Sequence, residues 1–477
     1  MKNAFISILL IFTIFKVEAQ SFDQLIYRLN TLPESQRQSV ADSFMNSGHS
    51  FPLIENDTLV HFVYNTAAQS VAMAGDATGW NPNKNLANIA GCNFWFYSTS
   101  YETDARLDYK FVVNGNNWIL DPKNPNTCSG GYGPNSELRM PAYIIPPEIS
   151  YYTSIAHGLI KDTIFQSSYL GNSRHVSVYL PPGYPSGIAS YPVVVFHDGL
   201  EYISLCKANN ILDYLIAHQT IVPVIAVFVP PVDRTAEYAG NKIDNFTDFI
   251  THELMPAIDA KYKTSADPSK RAMVGASNGG NIALYIGMKH PEQFGKIAAF
   301  SSNVQTTISS TFSTGPKLNL EFYIDIGTYD LSVLIPMVHG LSDILQTKGY
   351  TYQFKEWHEG HSWGNWKGHL RLPLEQFFPF SSGLNTSPEN PGFRLDQNRP
   401  NPFRDKTMIP FFAPPGSKVL LTLCDASGRM LETLFSGAAD QSINQVTFYN
   451  HYYKPGNYLC TLQAKGYKTS KIITIEQ

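Results

Sequence analysis

The sequence has no large excess of charge of either sign. Lys and Arg number 35 against 39 Asp and Glu, which gives a formal net charge of −4 at pH 7. A protein that holds a phosphate backbone usually presents a broad basic field. The near balance therefore argues against nucleic acid as a partner.

Cysteine is scarce, with five in 477 residues, and no two of them form a CxxC pair. The lack of such pairs argues against a structural zinc site. Cys92 and Cys128 lie in the first third of the chain, Cys424 and Cys460 lie in the last stretch, and Cys206 stands alone between them. Two disulfides, one within each outer pair, are one expectation for an exported protein, and buried free thiols are the other.

Long apolar runs are absent beyond the first twenty residues. The run from Ala4 to Phe15 follows Lys2 and precedes small residues that end at Ala19. This pattern is typical of a secretory signal peptide, and about a dozen apolar residues fall short of the ~20 that span a bilayer. We therefore expect residues 1–19 to be removed and the exported chain to have no integral membrane segment.

The length and the hydrophobic share of 43% predict two to three globular domains. Helical spacing predicts a lead-in over 20–54, and short strand patterns between Gly, Asn and Pro clusters predict a β-sandwich over 55–145. From 150 to 380 apolar strands alternate with helical stretches, which predicts a mostly parallel sheet covered by helices on both faces. Residues 381–394 have the composition of a linker, and 395–477 show the strand patterns of a second β-sandwich.

The strongest chemical signal is the GxSxG sequence Gly275-Ala276-Ser277-Asn278-Gly279. It follows a short apolar strand pattern and precedes a helical pattern. In that context the glycines permit a strained turn that lifts the serine hydroxyl above the sheet edge. We therefore predict that Ser277 is a nucleophile, and the alternative is a glycine-rich structural turn.

A serine nucleophile needs a base to take its proton and a carboxylate to orient that base. In folds with this turn, both partners follow the serine in sequence and lie at the ends of later strands. Asp330 follows the strand pattern at 321–326 through a short turn and is the predicted acid. Its rival, Asp325, lies inside that strand pattern, where a structural hydrogen bond is expected.

His361 is the predicted base, because it follows the strand pattern at 350–357 and Gly360 leaves room for an exposed imidazole. His358 is the competitor, but it continues the strand and is interpreted as structural. The two histidines have HxxH spacing without a third ligand nearby, so a metal is the minority interpretation. We accordingly predict no cofactor.

Stabilising the tetrahedral oxyanion takes two N–H donors, and losing one costs about two to three orders of magnitude in rate. One predicted donor is the backbone N–H of Asn278, directly after the serine. The other is the N–H of Leu200, in the loop after the strand pattern at 193–197, where Gly199 permits the turn. Asp198 precedes the serine in the sequence and is interpreted as a residue that shapes this loop.

The stretch from about 150 to 380 resembles the esterase family that includes enterochelin esterases, carbohydrate esterase family 1 feruloyl and acetylxylan esterases, and mycolyltransferases. The resemblance rests on FHDGLEY, FITHELMPAIDAKY, RAMVGASNGGNIAL, GTYD and GHSWGNW, which stand in the family's order. It implies the α/β-hydrolase fold, and it implies Ser277, Asp330 and His361 as the catalytic triad.

The first β-sandwich resembles a family 48 carbohydrate-binding module and the N-terminal domain of enterochelin esterases, through AGDATGW, DYKFVVNGNNWILDP and GPNSELRMP. This resemblance implies that sugar rings stack on Trp80 and Trp118, with Lys110 and Asn135 as polar contacts. A flat indole suits the apolar face of a pyranose. An extra Asn precedes Trp118, and burial of both rings in the sandwich core is the alternative.

The end of the chain, from about 395 to 477, resembles a type IX secretion sorting domain. The matching segments run from FRLDQNRPNPF through DASGRM and KPGNYLCTL to KIITI, and this stretch contains no Trp. The resemblance implies the type IX secretion machinery as a partner and passage across the outer membrane of a Gram-negative bacterium, with release or attachment at the cell surface.

Together these features predict a secreted serine carboxylic-ester hydrolase that acts through an acyl-enzyme and removes feruloyl or acetyl groups from a plant polysaccharide such as xylan. The first alternative is an enterochelin-type siderophore esterase, for which a cationic pocket at Arg234 and Lys207 would speak. The second is an inactive surface glycan-binding protein, which predicts a broken triad.

Overall fold

The computed structural model describes residues 21–186, 188–380, 393–425, 430–440, 443–464 and 467–476. They form two compact units, one made of the described residues up to Leu215 with Pro223–Phe378, and the other of Ile216–Val222 with the described residues from Pro379 onward. The predicted signal peptide and residues 381–392 of the predicted linker lie outside the described residues. Within the described ranges, no helix combines the length and the apolar character that crossing a bilayer requires.

Two helices open the first unit, α1 (Phe22–Thr31) and α2 (Glu34–Met45). Helix α1 begins at Ser21, whose hydroxyl accepts the N–H of Gln24 in a capping box. The strands that follow are β1 (Leu53–Glu55), β2 (Leu59–Asn65), β3 (Val71–Gly75), β4 (Lys84–Asn85), β5 (Ala87–Asn88), β6 (Phe94–Ser100), β7 (Arg106–Val113), β8 (Asn117–Ile119), β9 (Thr127–Gly130) and β10 (Gly133–Arg139). We call residues 53–139 the first β-domain.

The first β-domain is antiparallel and has two layers. One layer has the order β1-β2-β6-β5, and the other is built on β7, which pairs with β3, β8 and β10. Apolar side chains from both layers form one buried cluster, which includes Phe62, Met73, Tyr109 and Phe111. A second cluster joins the first layer to α1 and α2 through Leu25, Leu29, Val63 and Phe94. The predicted sandwich is therefore present, and the helical lead-in covers one of its sheets.

The second half of this unit is the α/β core. Its strands are β11 (Leu159–Ser167), β12 (Asn172–Leu180), β13 (Val193–His197), β14 (Ile225–Val229), β15 (Arg271–Ala276), β16 (Lys296–Phe300), β17 (Glu321–Tyr329) and β18 (Thr351–Gly360). They lie in the order β11-β12-β14-β13-β15-β16-β17-β18, and the run from β14 to β18 is parallel. Every residue of β13, β14 and β15 is buried, as expected for strands covered on both faces. The predicted mostly parallel sheet is confirmed.

The helices of this core are α3 (Gly199–Ser204), α4 (Ala208–Ala217), α5 (Arg234–Ala239), α6 (Ile243–Asp248), α7 (Met255–Lys261), α8 (Asn278–Lys289), α9 (Thr306–Thr314), α10 (Ile335–Thr347), α11 (Trp363–His369) and α12 (Arg371–Phe377). A π-helical segment, Phe249–Leu254, joins α6 to α7. Helix α8 packs tightly on the sheet, because a Cβ at Gly287 would lie 2.2 Å from Ile297 Cδ1. Near the start of α8, which Ser277 precedes, a Cβ at Gly280 would lie 2.8 Å from Ser302 Oγ, so this end of the helix is closely packed too.

The large sheet does not end at β18. Strand β18 pairs in parallel with β7 at one position, Glu359 with Arg106, so the sheet continues into the first β-domain. The sequence predicts separate domains over 55–145 and 150–380, whereas the contacts place both in one compact unit. The first β-domain is thus joined to the edge of the sheet on which His361 lies.

The second unit is a small antiparallel structure. Its strands are β19 (Arg394–Leu395), β20 (Lys406–Phe412), β21 (Lys418–Cys424), β22 (Met430–Ala438), β23 (Ile443–Tyr449), β24 (Gly456–Ala464) and β25 (Tyr467–Ile475). They form two sheets, with the orders β19-β20-β23 and β22-β21-β24-β25. The predicted second β-sandwich is confirmed as an antiparallel two-sheet unit.

All five cysteines are free thiols, so the disulfide expectation is wrong and the free-thiol alternative holds. In β21 and β24, Leu423 pairs with Cys460 and Cys424 pairs with Leu459. Neighbouring residues of a strand point to opposite faces, so the two thiols lie on opposite sides of the sheet. Cys92 packs against the cluster under α1 and α2, whereas Cys128 lies beside Lys367.

Candidate active site

Ser277 lies in the turn between β15 and α8. Its backbone has φ 57° and ψ −124°, a conformation that non-glycine residues rarely adopt and that is typical of a strained nucleophile turn. A Cβ at Gly275 would lie 2.0 Å from the carbonyl oxygen of Gly279, so the turn requires a glycine there. The N–H of Ser277 donates to the carbonyl of Phe300 at 2.8 Å, which anchors the turn to β16.

Asp330 and His361, the predicted acid and base, form a hydrogen-bonded pair. Asp330 directly follows β17 and His361 directly follows β18, and His361 Nδ1 lies 2.8 Å from Asp330 Oδ1. The Asp330 side chain is fully buried, and the imidazole is 17% exposed. Because a carboxylate only accepts, the bond assigns the proton of a neutral imidazole to Nδ1 and leaves Nε2 as an acceptor.

A chain of contacts ties His361 to the edge of the sheet where Ser277 lies. The imidazole packs edge-on against Trp366, with ring centroids 5.1 Å apart, and the Trp366 indole N–H donates to Ser301 Oγ at 3.1 Å. Ser301 follows Phe300, which accepts the N–H of Ser277. Among the described residues, the Ser277 hydroxyl forms no hydrogen bond. In serine enzymes the bond from nucleophile to base often tightens fully only in the substrate complex.

The rival acid, Asp325, is occupied elsewhere. It lies inside β17, is fully buried, and accepts hydrogen bonds from Tyr323 Oη at 3.2 Å, Trp357 Nε1 at 3.4 Å and the Ser301 N–H at 3.3 Å. Burial raises the pKa of Asp325 to about 7, although His369 and these donors act in the opposite direction. Its contacts are those of a structural carboxyl beneath the site.

The rival base, His358, points to the first β-domain. Its Nδ1 lies 2.7 Å from Asp104 Oδ1 in an exposed hydrogen bond. The described part of the chain holds no group of three or more His, Cys, Asp or Glu side chains arranged to bind a metal.

The two predicted oxyanion donors lie at helix starts. Asn278 is the first residue of α8 and Leu200 is the second of α3, positions whose N–H groups have no partner within a helix. In the described ranges neither N–H donates a hydrogen bond. The two loops touch, because a Cβ at Gly279 would lie 2.9 Å from Asp198 Oδ2. Both predicted donors therefore lie at helix starts in loops that touch, where an N–H without an intrahelical partner can bind a negative charge.

Arg234 braces these two loops, a role that the sequence did not indicate. Its guanidinium makes two 2.8 Å bonds to the Asp198 carboxylate and a 3.1 Å bond to the carbonyl of Ala276, the residue before the serine. Asp198 itself adopts a left-handed conformation, with φ 59°, and its N–H donates to Tyr238 Oη at 2.9 Å. Asp198 thus occupies the loop-shaping position that was predicted for it.

The four predicted sugar contacts lie in different surroundings. Trp118, on β8, is 43% exposed, and Lys110, on β7, is half-buried. The indole N–H of Trp80 donates to Asp76 Oδ1 at 3.1 Å, and the amide of Asn135 donates to Asp108 Oδ2 at 3.0 Å. Trp80 and Asn135 therefore support buried carboxylates, while Trp118 presents its ring to solvent. Their role in sugar binding stays a prediction.

Comparison with known proteins gives the relationships of the chain. Residues 167–374 match the esterase family model described as "Putative esterase". The uncharacterized protein YjcH of Bacillus subtilis (strain 168) is 26% identical over 226 residues, which cover 44% of this chain and 94% of that protein. The endo-1,4-beta-xylanase/feruloyl esterase of Xylanibacter ruminicola is 33% identical over 160 residues, which cover 31% of this chain and 22% of that protein. The chain therefore spans less than a quarter of that bifunctional relative.

Among solved structures, the enterobactin esterase FES from Shigella flexneri, crystallised in the presence of enterobactin, superposes with a TM-score of 0.60 at 22% identity. The superposition covers 70% of this chain and 97% of the enterobactin esterase chain. At this identity the likeness concerns the fold. The chain is thus similar in sequence to a feruloyl esterase over 160 residues and similar in fold to an enterobactin esterase, and its fold is α/β-hydrolase-like.

Proposed function

We propose that the chain is a serine carboxylic-ester hydrolase. The observation that carries the proposal is the 2.8 Å bond between His361 Nδ1 and Asp330 Oδ1, at the sheet edge to which Ser277 belongs. Ser277 Oγ attacks the ester carbonyl carbon while His361 Nε2 takes its proton. Asp330 holds the imidazole in the tautomer that can accept and stabilises the imidazolium that forms.

The reaction proceeds in two halves through an acyl-enzyme. The carbonyl oxygen becomes negatively charged in the tetrahedral intermediate, and the N–H groups of Leu200 and Asn278 donate to it. The imidazolium of His361 gives its proton to the departing alcohol oxygen, which leaves the acyl group on Ser277. A water molecule then attacks that ester, with His361 again as the base, and the free acid departs.

The proposed substrate is a feruloyl or acetyl ester on a plant polysaccharide such as xylan. The relationship to a xylanase/feruloyl esterase supports this choice. The charge of Arg234 also supports it, since two 2.8 Å bonds to Asp198 balance that charge and leave it poorly suited to hold an anionic substrate. Lys207, the other candidate cation, is exposed just before α4.

An enterobactin-type siderophore esterase is the second candidate. The observation that favours it is the superposition on an enterobactin esterase, which extends over 70% of this chain and is therefore longer than the α/β core alone. The two candidates use the same triad and differ in the ester that the loops around Ser277 admit. The choice between them therefore depends on the substrate and not on the mechanism.

Purified protein and its Ser277→Ala variant are to be assayed on methyl ferulate, p-nitrophenyl acetate and a ferric trilactone siderophore. We expect the wild type to cleave the first two esters and the variant to lose at least ~10³-fold in kcat/KM. A larger kcat/KM on the trilactone than on methyl ferulate would favour the siderophore esterase. If neither protein cleaves any ester and both bind xylan, the chain is a glycan-binding protein and the proposal is wrong.

Export and glycan binding are parts of the same proposal. We propose removal of residues 1–19, passage by type IX secretion through residues 395–477, and sugar binding at Trp118. Mass spectrometry of the protein from culture medium should find a new N-terminus at Gln20. Trp118→Ala should weaken binding to insoluble xylan while leaving kcat/KM on methyl ferulate unchanged, and equal binding by both proteins would exclude Trp118.

A further inference from the structure

A buried ionic cluster joins the first β-domain to the loop that carries His361. We call it the Arg106 cluster, and its members are Arg106, Asp108, Glu137, Glu359 and Ser362. Arg106 and Asp108 lie on β7 and Glu137 lies on β10, whereas Glu359 ends β18 and Ser362 precedes α11. Two of the five members therefore flank His361 in the sequence, and the other three belong to the first β-domain.

Arg106 makes the contacts that cross between these two parts. Its guanidinium donates to Glu137 Oε1 and to Asp108 Oδ1, both at 2.5 Å, and to Ser362 Oγ at 3.1 Å. Glu359 Oε2 lies 3.7 Å from Arg106 Nη1. The Arg106 side chain is completely buried. A fully buried arginine is rare unless it is paired, and here each edge of the guanidinium faces an acceptor.

The electrostatics keep this arginine charged. Burial alone would lower the pKa of Arg106, but Asp108, Glu137 and Glu359 raise it well above its ordinary value. Arg139 offsets part of the surplus of carboxylates at Glu137, and His369 Nε2 lies 2.7 Å from Glu359 Oε1. The cluster is therefore a permanent ionic contact, and breaking it would leave buried charges without partners.

The backbone on both sides of His361 is packed against the first β-domain. A Cβ at Gly360 would lie 2.0 Å from Asp76 Cγ, and a Cβ at Gly364 would lie 1.9 Å from Arg106 Nη2. The Ser362 hydroxyl that accepts from Arg106 also accepts the Asn365 N–H at 3.4 Å and so caps α11. The His361 loop is thus held at the residue before the imidazole and at the residue after it.

The acid of the proposed triad is approached from the same domain. Tyr329, the residue before Asp330, donates its hydroxyl to Glu102 Oε2 at 2.8 Å and packs edge-on against Tyr101, with ring centroids 5.8 Å apart. Both contacts come from the segment between β6 and β7. The first β-domain therefore touches the loops of both the acid and the base.

From these contacts we infer that Arg106 is a positioning residue for His361, and that the first β-domain is a structural part of the catalytic apparatus as well as a candidate sugar-binding module. The inference rests on the proposed function for its kinetic consequence. A displacement of about 1 Å in a catalytic group can cost about 10²-fold in rate. The Arg106 cluster sets the backbone from which the imidazole reaches Asp330 and Ser277.

The test compares Arg106→Lys, Ser362→Ala and a control, Tyr109→Phe, in the full chain. Lys keeps the charge but replaces a planar fork by a single ammonium, which cannot reach the same acceptors together. Ser362→Ala leaves all cluster charges in place and removes only the acceptor next to His361. Tyr109→Phe removes a buried hydroxyl on β7 that donates to Asp121 at 2.6 Å and accepts from Asn124 at 3.1 Å. Asn124 also donates to the backbone carbonyl of Glu137, but neither hydroxyl partner contacts Arg106 or the His361 loop, so the cluster's side-chain contacts stay in place.

Steady-state rates on methyl ferulate are normalised to the fraction of serines that react to completion with a fluorophosphonate, so that misfolded protein does not count. We expect kcat per titrated site to fall about 10- to 100-fold in Arg106→Lys and about 10-fold in Ser362→Ala, with KM changed less than about threefold. Tyr109→Phe should stay within about twofold on both parameters. Equal losses in all three variants would overturn the inference, because a general effect on stability would then explain them.

Hydrogen–deuterium exchange separates this inference from the proposed function, because it needs no turnover. Amides of residues 359–365 should exchange faster in Arg106→Lys and Ser362→Ala than in the wild type and in Tyr109→Phe. Unchanged exchange in both cluster variants overturns the inference, whatever the rates are. If the wild type hydrolyses no ester but the variants show the expected differences in exchange, the proposed function is contradicted and the positioning role of Arg106 is supported.

Discussion

Asp330→Asn tests the acid of the proposed triad with almost no change of shape. In the native chain Asp330 Oδ1 accepts the Leu331 N–H at 2.7 Å and the His361 Nδ1 proton at 2.8 Å. In an asparagine either one neutral oxygen serves both donors, or the amide turns its NH₂ group toward His361 and gives up the bond from Leu331. The first arrangement removes the negative charge that stabilises the imidazolium, and the second reverses the tautomer. The imidazole would then accept at Nδ1 and carry its proton at Nε2, the nitrogen that has to receive the proton of Ser277.

The size of the expected loss in kcat/KM follows from the few partners that the Asp330 carboxylate has besides His361. The Asp330 side chain is fully buried, and its second oxygen, Oδ2, has no hydrogen-bond partner in the described part of the chain. The carboxylate therefore acts on catalysis through His361. In serine proteases the same exchange, which leaves the geometry intact and changes the tautomer, costs about 10⁴-fold in kcat. We expect kcat/KM to fall about 10³- to 10⁴-fold, which corresponds to about 4 to 5.5 kcal/mol.

The assay measures initial rates on methyl ferulate at pH 8, with thermal melting as a check that each variant is folded. Asp325→Asn is the matched control, because it makes the same chemical change five residues earlier in a carboxyl bonded to Tyr323 and Trp357. It should retain at least about a tenth of the wild-type kcat/KM. If Asp325→Asn loses activity about 10³-fold and Asp330→Asn retains it, Asp330 is not the acid.

Three further predictions concern stability. Burial raises the pKa of Asp325 in the folded chain to about 7, from an ordinary value of 3.8. Between these two pH values the native state binds more protons than the unfolded state does. The contribution of this carboxyl to stability therefore falls as the pH rises through that window, by about 4 kcal/mol in all. Asp325→Asn cannot titrate, so its stability does not fall in this way. Urea unfolding should show that the free energy of unfolding of the variant, relative to the wild type, is higher at pH 7.5 than at pH 4.5. The same difference at both pH values would contradict this. Ser277→Gly should raise the free energy of unfolding by about 1 kcal/mol, because glycine accepts φ 57° without strain. The same change removes the hydroxyl and should abolish turnover. A lower melting temperature than that of the wild type would refute the strain argument. Gly360→Ala should cost about 1 to 3 kcal/mol through its collision with Asp76, whereas Gly340→Ala in α10, where the added Cβ meets nothing within 4 Å, should be neutral or stabilising; equal melting temperatures would rule out the close contact.

The α/β core was predictable because its strands are buried on both faces. Such strands are continuous apolar runs, and β13, β14 and β15 are buried at every residue. The antiparallel hairpin β11–β12 was missed. Strand β11 lies at the edge of the sheet with exposed polar positions such as Lys161 and Asp162, so its pattern does not differ from that of a polar loop.

The Asp330–His361 contact was predictable for a related reason. Parallel strands bring their carboxyl ends to one edge, so polar residues that directly follow strands are the ones that meet there. The free thiols were not predictable, because the placement of Cys424 and Cys460 on opposite faces depends on a strand register that the sequence does not display.

The Arg106 cluster could not be found from the sequence, because its members come from distant parts of the chain. Arg106 and Asp108 alternate with apolar residues along β7, and such a pattern usually places the charges on a solvated face. That face is buried because Glu359 and Ser362, some 250 residues later, supply partners for it. The sequence separation between Arg106 and Ser362 is 256 residues.

Strand β7 connects two roles that the sequence assigns to separate domains. Its residue Val112 pairs with Trp118, the exposed ring proposed to contact a sugar, and six residues earlier Arg106 contacts the His361 loop. Six residues of a strand span about 20 Å, and a strand within a sheet is stiff on that scale. A flexible linker would raise only the local concentration of ester near Ser277, since its length fixes no single geometry. A continuous sheet would fix both the distance and the direction from a polymer held at Trp118 to the proposed triad. The end of β7 that carries Arg106 therefore cannot change without consequences for the proposed base, whereas the end that pairs with Trp118 can, so the rate and the proposed sugar binding should respond to separate substitutions.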